Sequence, residues 1–379
     1  MQLADVANIV MGQSPPGNTY NDQSVGLPFF QGKAEFGDVS PIAVKWCSSP
    51  TRIAEAGDIL ISVRAPVGPT NVAAEQCCIG RGLAAIRPFP NELDRDYLLY
   101  FFKHLEPDLS SKGQGSTFSA INKKELYGIQ VPILPLSEQH RIVDILKRAD
   151  GIRRLRKQAQ DTARQLIPEL FIDMFGDPTT NPKGWPIGTI GDCITQAQYG
   201  TSKKAHEHDS GLPIIRMGNV LTNGDLDLQN LKYVELDEKD QAKYQLETGD
   251  ILFNRTNSKD LVGKTGMWKG DFEAVAASYF IVARTDRNKI LPTYLWIYMN
   301  TPYMKRRLFD TARGAIGQSN INAKELKALA IPIPPIELQE RFEVRLEGIQ
   351  SITVQQEAAQ DSAESSFQSL LHRAFSGIL

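Results

Sequence analysis

One stretch of this chain occurs twice in the same register, and no other feature constrains the fold as strongly. Ile121-Asn122-Lys123-Lys124-Glu125-Leu126 leads to Val131-Pro132-Ile133-Leu134-Pro135 and on to Gln139 and Arg141. Ile321-Asn322-Ala323-Lys324-Glu325-Leu326 leads to Ile331-Pro332-Ile333-Pro334-Pro335 and on to Gln339 and Arg341, a constant offset of 200. The register continues without a gap through Leu146/Leu346, Ile152/Ile352, Ala163/Ala363, Leu170/Leu370 and Phe175/Phe375. The chain is a tandem duplication.

Each copy has one physical plan. Proline neither continues a strand ladder nor sits comfortably inside a helix, so the Pro132/Pro135 and Pro332/Pro334/Pro335 clusters mark the end of a globular part. A helix then opens, with Ser137 as its expected N-cap and Glu138 suited to the positive end of the dipole. Seam positions recur at spacings of three and four: Ile142, Leu146, Ala149, Ile152, Leu155 or Arg156, Ala159, Ala163, Leu166, Leu170 and Met174. The second copy repeats them from Phe342 and Leu346 to Phe367, Leu370 and Ala374. That period predicts a long amphipathic helix with a narrow seam, roughly 58 Å at about 1.5 Å per residue. Such a helix cannot bury its seam on a small domain, but two can bury each other's.

At 379 residues the chain is long enough for two or three domains. Apolar content is ordinary for globular protein, no apolar run approaches membrane-spanning length, and Met1-Gln2-Leu3-Ala4-Asp5 has no signal-peptide pattern, so a cytoplasmic location is expected. The four cysteines (Cys47, Cys77, Cys78, Cys193) lack metal-ligand spacing and are expected to be reduced thiols. Net charge is −2, yet it is unevenly spread. Residues 137–176 carry eight Lys/Arg against six Asp/Glu, and residues 336–379 carry three against seven. The basic run Lys147, Arg148, Arg153, Arg154, Arg156, Lys157 thus has an acidic counterpart on the related helix.

Residues 1–136 read as mixed α/β with many short strands: Leu3–Val6, Ile9–Met11, apolar Leu27-Pro28-Phe29-Phe30, and Ile59–Val63 after a Gly57-Asp58 turn. Asp96 to Lys103 reads as a packed helix, and Lys112–Phe118 as a Gly-rich loop. Residues 177–335 repeat the order. Gly211-Leu212-Pro213 mirrors Gly26-Leu27-Pro28, Gly249-Asp250-Ile251-Leu252 mirrors Gly57-Asp58-Ile59-Leu60, and Tyr294-Leu295 mirrors Tyr97-Leu98. The loops differ, as loops on a shared scaffold do. The fold class is therefore α+β (mixed α/β), with two similar globular domains and two long helices in an internal pseudo-two-fold repeat. The division is 1–136, 137–176, 177–335 and 336–379.

The sequence offers little chemistry. Gly113–Gly115 lacks the phosphate-loop pattern, and no G-x-G-x-x-G follows a strand. His206-Glu207-His208 sits in a polar loop, where i,i+2 histidines do not share a helix face, so no metal site is expected. Asp237-Glu238-Lys239 is a polar turn without an upstream acidic partner. Gln13-Ser14-Pro15-Pro16 differs from the Asn/Asp-Pro-Pro-aromatic motif of amino-methyltransferases, with Ser14 in place of the amide or acid and Gly17 in place of the aromatic. No nucleophile–base constellation emerges, and no catalytic residue is assigned.

The Pro-Ile-x-Pro-(x)3-Gln-x-Arg opening of both helices, the Gly-Asp-Ile-Leu strands, the Phe175-Gly176-Asp177-Pro178…Asn181-Pro182-Lys183-Gly184-Trp185 hinge and the ending Leu370-Leu371-His372-Arg373-Ala374-Phe375-Ser376-Gly377 closely resemble the specificity subunits of Type I restriction–modification systems. The resemblance covers essentially the whole chain. It implies a non-catalytic DNA reader in which each globular part is a target recognition domain for one half of a bipartite, asymmetric double-stranded site. It implies a spacer made of two antiparallel coiled-coil helices. It also implies partners: two methyltransferase subunits supplying S-adenosylmethionine and DNA adenine methylation, and restriction/motor subunits using ATP and Mg. No cofactor is expected in this chain.

Base reading needs side chains that fork to base edges, Arg to guanine and Asn or Gln to adenine, while Lys, Ser and Thr hold phosphates. The loops with those residue types give the candidate DNA contacts. In the first domain they are Gln31, Lys33, Arg64, Arg81, Lys112, Gln114, Ser116 and Thr117. In the second they are Lys203, Lys204, Arg216, Asn219, Arg255, Asn257, Lys259, Arg313, Gln318 and Ser319. Two other readings fit the same residues: the recognition part of a fused methyltransferase or nuclease, and an assembly scaffold that binds no DNA. Cofactor binding by the isolated chain separates the first, and a gel shift with partner subunits the second. If the helices lie antiparallel, residue numbers on facing positions sum to roughly 512, which pairs Arg148 with Glu364, Gly151 with Asp361 and Arg154 or Arg156 with Glu357.

Overall fold

The computed structural model describes residues 1–112, 120–257, 263–311, 313–315 and 318–379. Two compact units emerge, residues 1–159 with 356–379, and residues 160–355. The repeated stretches are helices of 40 residues, Leu136–Phe175 and Ile336–Phe375. The unit boundaries fall inside these helices, so each unit holds the start of one and the end of the other. Ser137 lies within the first turn and is not the cap. The carbonyl of Pro135 accepts from the Glu138 and Gln139 amides at 2.9 and 3.0 Å, because the proline ring already holds the entering backbone.

The first unit is built on a four-stranded antiparallel sheet in the order Ala7–Met11, Leu83–Pro88, Ile59–Ser62, Thr70–Val72. The second repeats it with Ile194–Tyr199, Phe280–Thr285, Ile251–Asn254, Thr265–Met267. The register is the same: Ile61 faces Ala84 as Phe253 faces Ile281. A second sheet follows in each unit, five-stranded in the first and three-stranded in the second, where Phe29 pairs parallel to Cys78 and Ile214 pairs parallel to Val275. Leu3–Val6 forms one helical turn and not the expected strand; its Leu3 and Val6 side chains are both buried, a three-residue spacing that shares one face of a turn but falls on opposite faces of a strand.

The Gly-Asp-Ile-Leu motif has a common geometry. Gly57 and Gly249 turn at φ +88° and +94°, a region costly to any side chain. Asp58, 2% exposed, then takes both Arg87 nitrogens at 2.7 and 2.9 Å, and Asp250, 1% exposed, takes Arg284 at 2.9 Å twice. A hydrogen bond to a charged group contributes about 1.5–3 kcal/mol, so each pair ties the turn firmly to the neighbouring strand.

The repeated glutamines dock the helices. Gln139 accepts from the Asp94 amide at 2.8 Å and donates to Glu92 O and Leu134 O. Gln339 accepts from the Leu291 amide at 2.8 Å and donates to Lys289 O and Pro334 O. Both are fully buried, which is tolerable only because the whole amide is used.

Within the first unit the two helix segments run antiparallel: Arg141 donates to Leu379 O and Arg153 reaches Glu364. Glu364 therefore meets Arg153 in place of the expected Arg148. Arg153 also holds buried Asp150 at 2.7 Å and lies 5.0 Å over the Phe367 ring, so packing on the aromatic selects it. In the second unit Phe342 lies 5.9 Å from Phe171 and 5.1 Å from Phe175. The seam is not apolar throughout: Ile152 and Leu155 are 56% and 66% exposed, and the Asp150–Arg153 pair takes that turn. Proline also proves tolerated in helices. Pro168 lies inside Leu136–Phe175, flanked by core residues Ile167, Leu170 and Phe171. Pro107 lies inside Arg95–Lys112, which outruns the expected Asp96–Lys103. There Leu109 is buried and Ser110 Oγ donates to Val67 O, tertiary contacts that outweigh the lost backbone bond.

Candidate nucleic-acid interface

Four loops of the first unit meet in a cleft of about 800 Å³, lined by Ser14, Gln31, Gly32, Lys33, Glu35, Ser62, Arg64, Arg81 and Gly82 among others. Gln31 follows the strand Leu27–Phe30, Lys33 opens a one-turn 3-10 segment, Arg64 follows Ile59–Ser62, and Arg81 lies between Cys77–Ile79 and Leu83–Pro88. A Cβ at Gly82 would lie 2.1 Å from the Gln31 carbonyl, so only glycine lets these loops close on one another. Four of the DNA contacts expected from the loop residue types thus converge: Gln31, Lys33, Arg64 and Arg81, all exposed.

The cleft is electropositive. Among the described residues no ion pair joins Lys33, Arg64 or Arg81 to a carboxylate, and Arg81 Nε reaches only Ser14 Oγ at 3.5 Å. Glu35, the acid on the wall, accepts from the Gly32 amide at 3.0 Å. Three unpaired cations and an amide in a concave, solvated site suit a polyanion that also presents base edges. Ser14, Ser62 and Glu35 were missed in the sequence, since nothing local marks a loop residue as facing a cleft formed by distant strands.

In the second unit the same positions carry other chemistry. The matched strands equate Gln31 with Arg216, Arg64 with Thr256 and Arg81 with Ser278. Arg216 gives one bond to Asn230 O at 3.1 Å, and its Nε is buried without a partner. Arg255 stands one position before the equivalent of Arg64, because its carbonyl takes the Ile321 amide as that of Val63 takes Ile121. Its guanidinium lies 4.8 Å over the Tyr199 ring. Lys203 is 3.8 Å from Asp240, and Lys204 is exposed. Asn219 is 5% exposed, and its amide is used by the Arg216 N–H and Asp227 O. It shapes the Arg216 turn and presents nothing to a ligand, a correction to its expected role as a DNA contact.

Asn257, Arg313, Gln318 and Ser319 are brought together in backbone terms. Thr256–Asn257, Gln318–Asn320 and Arg313–Ala315 form one antiparallel sheet in which Asn257 faces Ser319 and Ala315 faces Gln318. Lys112 ends its helix, while Gln114, Ser116, Thr117 and Lys259 lie outside the described residues. Two lysines escaped the sequence reading. Lys264 Nζ donates to Met217 O at 3.1 Å, and Lys305 Nζ to Gly263 O at 3.3 Å. Burial lowers both, and with the Lys264 charge nearby Lys305 falls to about 8.

Residues 1–163 and 182–359 each match the family model described as the Type I restriction modification DNA specificity domain. The chain is 42% identical over 167 residues to the putative type I restriction enzyme MjaX specificity subunit of Methanocaldococcus jannaschii, a match spanning 43% of this chain and 39% of that protein. It is 28% identical over 324 residues to the type I restriction enzyme StySPI specificity subunit of Salmonella potsdam, spanning 80% of this chain and 69% of that one. Its fold resembles the crystal structure of the Type-I restriction-modification system S subunit from M. genitalium, with a TM-score of 0.59 at 14% identity over 99% of this chain and 95% of that one.

Proposed function

Because the chain belongs to the Type I restriction modification DNA specificity family and carries that domain twice, we propose that it reads DNA sequence for a restriction–modification complex. Each globular part takes one half of a bipartite, asymmetric site. The carrying observation is the cleft of Gln31, Lys33, Arg64 and Arg81 on a scaffold repeated in the second unit with different side chains. One scaffold with two loop chemistries suits two different half-sites.

The division of labour follows the side chains. Arg64 and Gln31 fork to base edges, Lys33 and Arg81 neutralise phosphates, and Arg216 and Arg255 serve the second half-site. The long helices fix the gap between half-sites and dock methyltransferase subunits. Those subunits bring S-adenosylmethionine, while restriction/motor subunits bring ATP and Mg. The chain itself does no chemistry and works in the cytoplasm; no helix among the described residues is long and apolar enough to cross a membrane.

The test is to reconstitute the chain with its methyltransferase subunits and map methylated adenines, then exchange residues 1–136 for the matching part of a relative. One half of the modified sequence should change while the other stays. Change in both halves, or in neither, sinks the modular reading.

A further inference from the structure

We propose that Tyr199 and Arg255 form the base-reading element of the second unit, with Arg255 forking to one base pair and Tyr199 acting as its positioning residue. This rests on the recognition reading above and adds to it which position carries specificity and why the two units differ. Arg255 is anchored at both backbone groups: its N–H donates to Tyr279 O and its carbonyl accepts from the Ile321 amide, each at 2.9 Å. The side chain leaves that fixed point and lies with its guanidinium carbon 4.8 Å from the Tyr199 ring centroid. Nε is buried without a hydrogen-bond partner. The ring is fixed in turn, because Tyr199 ends a strand paired to Ile281 and its hydroxyl accepts from the Ala323 amide at 3.3 Å. Tyr199 is nevertheless 43% exposed, so the stack stands at the surface. A guanidinium held over an aromatic ring has lost much of its rotamer freedom and keeps its terminal N–H fork for a planar partner.

The first unit is built differently at the same two positions. Met11 faces Ala84 as Tyr199 faces Ile281, and the Val63 carbonyl takes the Ile121 amide as that of Arg255 takes Ile321. An apolar Met–Val pair there leaves the reading to Arg64, one residue later and on the opposite side of the extended backbone. The arginine has thus shifted by one position between units, which presents its fork from a different face of the same scaffold.

The experiment uses the full chain reconstituted with its methyltransferase subunits on a duplex library randomised across the modified site, with methylated positions sequenced. Arg255→Val and Tyr199→Met import residues the first unit already accommodates, and thermal melting checks that each variant folds. Arg255→Val and Arg255→Lys should both relax one base pair of the second half-site by about tenfold to a hundredfold and leave the first half-site intact. Tyr199→Met should relax the same base pair, and Tyr199→Phe, which keeps the ring, should restore it. Uniform weakening over all sequences that Arg255→Lys rescues would make Arg255 a phosphate contact and overturn the assignment. So would an unchanged site in both arginine variants, and an unchanged site in Tyr199→Met removes the positioning role. A wild-type chain without bipartite preference overturns the recognition reading and this assignment with it.

Discussion

Tyr97 packs on Phe375 with ring centroids 5.2 Å apart, although one lies in the first globular part and the other at the end of the last helix. The second unit repeats the contact with Tyr294 on Phe175 at 4.8 Å. In both, the tyrosine hydroxyl donates at 3.0 Å to the carbonyl of the proline in the repeated Pro-Ile stretch, Pro132 or Pro332. Each globular core is thus completed by the end of the helix from the other repeat.

Phe375→Ala should therefore destabilise the first unit, by less than the about 3–5 kcal/mol of a fully buried aromatic because Phe375 is only partly buried. Hydrogen exchange should speed up in Ala7–Met11 and Ile59–Ser62 while Ile251–Asn254 stays protected. Equal loosening of both sheets would show that the helix end serves the whole chain rather than one core.

Arg64→Ala should weaken binding of the cognate site by about 1–3 kcal/mol and relax one base pair of the first half-site, because the exposed guanidinium faces the cleft without a carboxylate partner. Lys33→Ala should weaken binding to all sequences alike and flatten the salt dependence by about one unit of slope. Competition binding with cognate and scrambled duplexes at several salt concentrations distinguishes the two outcomes.

Lys305 supplies a pH signature. Its folded value of about 8 lies below the ordinary 10.5, so burial of its charged form opposes folding. The penalty is fully present below pH 8 and fades as pH rises from 8 towards 10.5. Wild type should gain stability relative to Lys305→Met between pH 7.5 and 10, about the window of that titration. Melting curves of both proteins across the range measure it, and a difference that stays constant with pH contradicts the assignment.

Inserting four residues between Ala159 and Ala163 adds roughly 6 Å of helix at about 1.5 Å per residue. That is close to two base pairs at about 3.4 Å each. The modified site should keep both half-sequences with a longer spacer. An unchanged spacer with full activity would mean that the helices do not measure distance.

The duplication, the two long helices and the repeated order of motifs along the chain were legible in the sequence because they rest on local and periodic signals. Offsets survive in register, proline and glycine punctuate, and an apolar period of three and four reports one helix face. The loops with reader chemistry were legible as residue types, and Gln31, Lys33, Arg64 and Arg81 do meet in one cleft. What local pattern could not carry was decided by contacts between distant residues. Asn219 has the same composition signal as a reader but is consumed by Arg216 and Asp227. Arg153, not Arg148, takes Glu364, because the Phe367 ring holds its guanidinium in place. Pro107 and Pro168 stay helical because the residues around them are packed. The stack of Arg255 on Tyr199 exists only because two strands far apart in sequence set those residues side by side. Residue order alone settles which groups are available; tertiary packing decides which of them are already occupied and which remain free to meet DNA.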